Sequence, residues 1–256
     1  MIDHLAIAVV LRLVVAAVML VGFSYGADWM LRTENFPVHQ VYFEGPFKHV
    51  THPQLEGAIL DRVRGNFFLV DLDGVRQRLE ALPWVHRVSV RRSFPQDLHV
   101  QFTEQRLAAR WGESAWVNTS GDVVRVSGSE LPADLPRLVG PEGTAAQVLA
   151  AYQDFGATLA AHGLRLTGLT LTPRRSWRLD IEGAGAAVPL ALVLDQEQTQ
   201  QRLERFARVY AATLAQQAVG IKQVDLRYTN GFAVEWRNGR EGGAKIAGAV
   251  APRNEG

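Results

Sequence analysis

The sequence predicts an α+β protein: a single N-terminal transmembrane helix, a β-α-α-β-β module, then a mostly antiparallel β-domain with flanking helices. Three observations carry that prediction. The N-terminus is a long apolar run; residues 38–104 interleave two helical periods with alternating segments; the remainder is strand-rich and ends in two alternating segments around Asn230-Gly231. A length of 256 residues leaves room for one or two folded domains. With 27 Lys and Arg against 26 Asp and Glu, no basic excess exists to neutralise phosphates, so no nucleic-acid partner is expected. The chain has no cysteine, which removes disulfides, thiolate metal sites and thiol catalysis.

From Leu5 to Leu31 only Arg12 and Asp28 are charged. About 20 apolar residues cross a bilayer core of roughly 30 Å. The organisation read from this is a short cytoplasmic tail (1–12), a membrane span (13–31) and a polar connector (32–37). Arg12 can snorkel to the inner head groups while Trp29 occupies the far interfacial belt. Ser24-Tyr25-Gly26 loosely fits a signal-peptidase site, but the apolar run exceeds the roughly 7–15 residues of a signal-peptide core. Orientation is weakly encoded, by Arg12 and the terminal amine against Arg32.

The first soluble module is expected over 38–104. Residues 38–45 read as a strand ended by Gly45-Pro46. Thr51 is a candidate N-cap, Pro53 sits in the first turn, and Leu55, Ile59 and Val63 share a face of a helix closed by Gly65-Asn66. Asp71 or Asp73 caps a second helix carrying Val75, Leu79 and Leu82 before Pro83 stops it. Val85, Val88 and Val90, then Leu98, Val100 and Phe102, alternate with polar residues around a turn at 93–96.

A second domain is expected over 105–236. Strands are predicted at 115–118 and 123–126, followed by a loop holding Pro132, Pro136 and Pro141, then a helix over 145–162. Three strands (164–171, 177–181, 190–194) precede an amphipathic helix over 199–217, with Leu203, Phe206, Val209, Tyr210 and Leu214 on one face. The last two strands, 223–228 and 232–236, flank Thr229-Asn230-Gly231. A two-residue turn would pair Arg227 with Val234, setting polar against apolar. A three-residue loop with Gly231 in the left-handed region pairs Tyr228 with Phe232, Leu226 with Val234 and Val224 with Trp236, and is favoured. Residues 237–256 are Gly-rich and polar, and are expected to be a disordered tail.

Constellations for catalysis or cofactor binding are weak. His49 and His52 lack a third ligand at metal spacing and read as a solvated loop; Asp71 and Asp73 read as capping residues. No phosphate-binding glycine loop and no serine-nucleophile elbow is legible. His86 and His99 fall on the polar phase of their strands, and Arg91-Arg92 reads as a solvated hairpin tip. No enzyme, metal, cofactor or small-molecule substrate is therefore expected.

The ordered set of a lone anchor, VYFEG, LPWVHRVSVRRSFPQDLHVQFTEQRLAARW, WVNTSGDVV, RRSWRL and VDLRYTNGFAVEW resembles the FtsQ family (DivIB in Gram-positive bacteria). The similarity runs from about Leu13 to Trp236. It implies a POTRA domain followed by the FtsQ β-domain, on a single-pass type II protein of the inner membrane. Its bulk would lie in the periplasm and concentrate at the division septum. Implied partners are FtsB and FtsL and, through them, other divisome proteins including the septal peptidoglycan synthase complex. The resemblance implies that FtsB docks on the last strands, with Arg174 in RRSW and Arg227 and Tyr228 in DLRY as contacts. Ahead of its apolar run this sequence has a much shorter segment than longer-tailed relatives.

Elementary physics points to the same strands. Phe232, Ala233, Val234, Glu235 and Trp236 form a terminal strand without proline or lysine, so its unpaired backbone groups are open to strand addition from the Gly231 turn onwards. Arg174 and Arg227 would offer fork-shaped donors to acidic groups, either touching the partner or orienting the edge. The competing reading makes Tyr228, Phe232 and Trp236 sheet core. Two other functions compete with this reading. A POTRA-bearing secretion component would continue into a membrane barrel, for which there is no room. A membrane-anchored peptidoglycan hydrolase would need paired carboxylates or a metal in a cleft.

Overall fold

The computed structural model describes residues 2–32, 34–128, 131–183, 189–214, 220–228 and 231–237, with side chains from Ile7 onward. The chain divides into two compact units, Met1–Gln105 and Arg106–Gly256. The expected tail over 238–256 lies outside the described residues.

The first unit opens with one continuous helix, α1 (Ile2–Leu31). It starts well ahead of residue 13, because nothing between Ile2 and Arg12 breaks a helix. Its apolar span, Ile7–Leu31, covers about 38 Å at 1.5 Å per residue and is long enough to cross a bilayer once. Apolar residues surround it on every side and its most apolar window is unburied, as a lipid-solvated helix requires. At its end Arg32 and Asp28 pair one turn apart, Nη2 to Oδ2 at 2.6 Å.

The rest of the unit is β1 (Val41–Glu44), α2 (His52–Ile59), α3 (Leu72–Glu80), β2 (Val85–Ser93) and β3 (Asp97–Glu104). The sheet order is β1-β3-β2, with β1 parallel and β2 antiparallel to β3. Leu55, Ile59, Val75 and Leu79 from the helices meet Val88, Leu98, Val100 and Phe102 from the sheet in one core. Thr51 caps α2 and donates its backbone N–H to Gln54, and Asp71 caps α3 by accepting from the Gly74 N–H.

Three expectations need correction. Helix α2 stops at Ile59 rather than near Gly65: the chain turns there, with the N–H groups of Arg62 and Val63 both donating to the Ile59 carbonyl, and Asn66 instead donates its amide to the carbonyls of Met30 and Arg32 at 2.8 and 3.0 Å. Arg92 is no free tip residue; it donates to the carbonyls of Phe67, Phe68 and Val70 and closes the 66–70 turn. His49 is not solvated loop either. It stacks on Trp84 at 3.8 Å and holds Glu104 Oε2 at 2.8 Å, while Glu104 also accepts the backbone N–H groups of Lys48, His49 and Val50. Burial raises the Glu104 carboxyl, but these donors more than offset it and hold the group below its ordinary value.

The described residues of the second unit build a nine-stranded sheet. Its strands are β4 (Leu107–Trp111), β5 (Ala115–Asn118), β6 (Val123–Val124), β7 (Arg137–Val139), β8 (Leu164–Leu171), β9 (Trp177–Gly183), β10 (Leu190–Leu194), β11 (Ile221–Asp225) and β12 (Ala233–Trp236). The order is β12-β11-β10-β9-β8-β7-β4-β5-β6. Most pairs are antiparallel; β7 runs parallel to both neighbours and β10 parallel to β11. Two helices cover one face: α4 (Ala145–Ala160) and α5 (Thr199–Val209), the latter widening into a π-helical turn at Tyr210–Leu214. Phe155 meets Trp177 edge to face at 5.6 Å, and Leu203, Phe206 and Leu214 complete the core. The alternate positions of β8, β9 and β11 carry Arg165, Arg178, Asp180 and Gln223 on the uncovered face.

Candidate functional site

Among the described residues, the strand order leaves β12 at one edge of the large sheet. Its side chains alternate: Phe232, Val234 and Trp236 turn toward the core, while Ala233 and Glu235 face out. Phe232 is buried and packs edge to face on Phe206 at 6.0 Å, so it is core rather than contact surface. Val234 and Trp236 are half-buried over the same core.

The backbone of β12 alternates as well. Arg237 donates its N–H to the Gly220 carbonyl at 2.8 Å, which turns that residue's backbone toward β11. The pairing is bulged between Ile221 and Gln223, with the extra residue on β11, so the alternation of β12 is unbroken: Glu235 and Ala233 also face β11, and the N–H and C=O of Val234 and Trp236 point away from it. Those outward groups are the donors and acceptors a further strand would use.

Register departs from the sequence expectation by two residues. Val224 pairs with Val234 and Asp225 with Ala233, instead of Leu226 with Val234. The shift preserves the parity that sets apolar against apolar, so the same faces are buried, but the connection lengthens to residues 226–232. The Leu226 side chain is free to enter the core, where it is 2% exposed. The tip at 229–230, which sets the expected left-handed Gly231 turn, lies outside the described residues.

That connection leaves the sheet at the same end as the β8–β9 turn. β9 is antiparallel to β10, with Leu194 opposite Trp177, and β10 is parallel to β11, with Val193 opposite Asp225. Arg174, exposed in the 172–176 turn, therefore shares one end of the sheet with Arg227, Tyr228 and Gly231. β9 and β11 lie two interstrand spacings apart, roughly 10 Å. The turn under Arg174 is rigid: the Thr172 and Ser176 hydroxyls meet at 2.7 Å, and Arg175 takes a left-handed backbone with φ 62°. Trp236 stands at the opposite end of β12, opposite Ile221 and over Gly220. The predicted residues thus line an edge and one corner instead of forming a pocket.

Tyr228 is 58% exposed and is not core. Arg227 is exposed, yet one side of its fork is already used: Nε and Nη2 hold Asp225 at 2.9 and 2.6 Å. Burial raises the Asp225 carboxyl, but the Arg227 hydrogen bonds and charge pull it back below its usual value; Arg227 is raised in return.

The residue that builds this corner was missed in the sequence. Arg202 of α5 is buried, and its Nη1 reaches Asp195 (2.9 and 3.0 Å), the Leu226 carbonyl (3.3 Å) and the Arg227 carbonyl (2.8 Å). It ties the end of β10, the end of β11 and the helix together. The signal was available: Arg202 falls at helical spacing on the stripe of Thr199, Leu203, Phe206 and Tyr210, where a cation needs a buried partner. Across β11 and β12, Lys222 and Glu235 pair at 2.5 Å, which neutralises the outward carboxylate of the edge.

Comparison with known proteins places these features in a family. Residues 36–105 match the FtsQ-type POTRA domain, and residues 109–227 match the C-terminal family of cell division protein FtsQ/DivIB. The cell division protein FtsQ of Burkholderia pseudomallei is 32% identical over 86% of this chain and 87% of its own length. Its counterpart in Shewanella oneidensis is 38% identical over 79% of this chain and 75% of its own. That of Allochromatium vinosum is 34% identical over 86% and 87%. With both domains matched in order and these relatives aligned over most of their length, the chain belongs to the FtsQ/DivIB family of cell division proteins.

Proposed function

We propose that this protein is a non-enzymatic scaffold of the divisome that recruits FtsB and FtsL by β-strand addition at β12. It links early division proteins to septal peptidoglycan synthesis. One observation carries the reading: β12 ends the nine-stranded sheet and, by alternation, turns the backbone groups of Val234 and Trp236 outward. An added strand gains backbone hydrogen bonds there. Its flanking acidic residues would meet the corner of Arg174, Arg227 and Tyr228. The single apolar helix holds the chain in the inner membrane, with both folded units in the periplasm at the septum. The role needs no chemistry.

The test is a titration of the full chain in lipid nanodiscs with FtsB–FtsL. Val234→Pro removes an N–H that faces away from β11 and has no partner among the described strands, so the fold should tolerate it while strand addition loses a hydrogen bond and meets the ring. Binding should weaken at least about tenfold, the equivalent of one charge-free hydrogen bond plus steric strain. Wild-type binding matched by Val234→Pro would move the site off this edge.

A further inference from the structure

The geometry points to a second membrane contact: the pole of the first unit that carries Phe94 and Leu69 rests on the lipid surface beside the exit of α1. This goes beyond partner recruitment and requires only that α1 spans a bilayer.

The sheet of this unit has a direction. β1 and β3 run parallel and begin at the same pole, where His39 donates to the Gln96 carbonyl and Leu98 to the Gln40 carbonyl, both at 2.9 Å. The chain arrives at that pole from the membrane helix and leaves at the opposite one, past Glu104. The arrival is fastened down. Asn66, 3% exposed, donates to the carbonyls of Met30 and Arg32, and Phe67 donates its N–H to the Phe36 carbonyl at 2.7 Å. The last turn of α1, the connector and the 66–70 turn are thus one hydrogen-bonded block, fastened to the end of an apolar span at Met30 and Arg32.

A run of aromatic rings crosses this block. Trp29, the interfacial residue of the helix, meets Phe36 at 5.5 Å; Phe36 meets Phe68 at 5.3 Å; Phe68 meets Phe94 at 6.5 Å. Phe94, on the β2–β3 tip, is 79% exposed and Leu69 is 62% exposed. Both stand on rigid supports, since Arg92 clamps the carbonyls of Phe67, Phe68 and Val70 from the same hairpin. Two large apolar side chains held outward on stiff turns, continuous with an interfacial tryptophan, suit the boundary between head groups and acyl chains. Arg64, exposed in the segment that leads into the 66–70 turn, suits anionic head groups, with Glu34 and Asp97 as the opposing charges.

The absence of cysteine makes single-site labelling clean. The full chain is placed in nanodiscs of phosphatidylethanolamine and phosphatidylglycerol, with a spin label at Ser93→Cys beside the intact Phe94 or at Arg87→Cys toward the other pole. Collision with oxygen and with a water-soluble nickel chelate is read at each. The label at 93 should be shielded from nickel and enriched in oxygen relative to 87. Adding Phe94→Ser and Leu69→Ser should lower the docked-to-undocked ratio roughly tenfold per side chain and bring the two labels together, with the label at 87 unchanged as the fold control. Equal nickel access at 93 and 87 in the parent, or a difference that survives the double substitution, overturns the proposal. Shielding that appears only after FtsB–FtsL is added also overturns it and assigns the pole to a protein partner.

Discussion

Replacing Arg202 with Met tests how the partner corner is held. The methionine keeps the apolar stem on the α5 stripe and deletes the guanidinium, whose side chain is 9% exposed. Lost with it are the bonds to both carboxylate oxygens of Asp195 and to the carbonyls of Leu226 and Arg227. Removing one partner of a buried ion pair costs about 3–5 kcal/mol, and a charged hydrogen bond about 1.5–3. Asp195 is itself 39% exposed, so water recovers part of its solvation. Deletion also relieves the Arg202 Nε, which is buried without a partner. These offsets bring the net loss to about 2–3 kcal/mol, or roughly 5–10 °C in the melting midpoint of a domain of this size. The assay is thermal unfolding of the full chain in detergent, followed by circular dichroism, beside an FtsB–FtsL titration. Both midpoint and affinity should fall, since the freed carbonyls release the segment presenting Arg227 and Tyr228. Asp195→Asn should cost less, because it leaves the two carbonyl bonds in place. An unchanged midpoint in Arg202→Met would refute the clamp; a lowered midpoint with full affinity would show that the corner does not bind.

Phe232→Ala opens a cavity beside Phe206 and should cost about 3–5 kcal/mol, whereas Tyr228→Ala, at an exposed position, should leave the melting midpoint alone and weaken partner binding. For Glu104 the sign is set by its lowered folded-state value: the unfolded state binds the proton more readily, so the stabilisation is complete above the ordinary carboxyl range and is lost as pH falls through the folded value. Glu104→Gln should therefore destabilise the first unit at neutral pH by about 1–3 kcal/mol and flatten its stability profile on the acid side. A variant with the parent's acid slope would remove Glu104 as the cause.

The sequence by itself determined the elements whose information is local. A continuous apolar run marked α1, periodicity marked α3 and α4, short apolar-rich segments marked β8 and β10, and capping chemistry placed the starts of α2 and α3, because each depends on residues close along the chain. The apolar/polar parity of the final hairpin was legible for the same reason, and it survived a two-residue error in register. Only tertiary structure decided the rest. β7 is three residues among prolines, and it exists because β4 and β8 sandwich it in parallel from distant parts of the chain. Arg92, Asn66 and Glu104 looked like surface or boundary residues, yet each closes a contact with backbone at least 22 residues away. That β12 is an edge follows from a strand order that no single segment encodes. Arg174 and Arg227 share a corner only because β9, β10 and β11 pair in their observed directions. Local chemistry fixed which residues form strands; long-range pairing, with its loop-closure cost repaid by the common core, fixed which of those strands stays open.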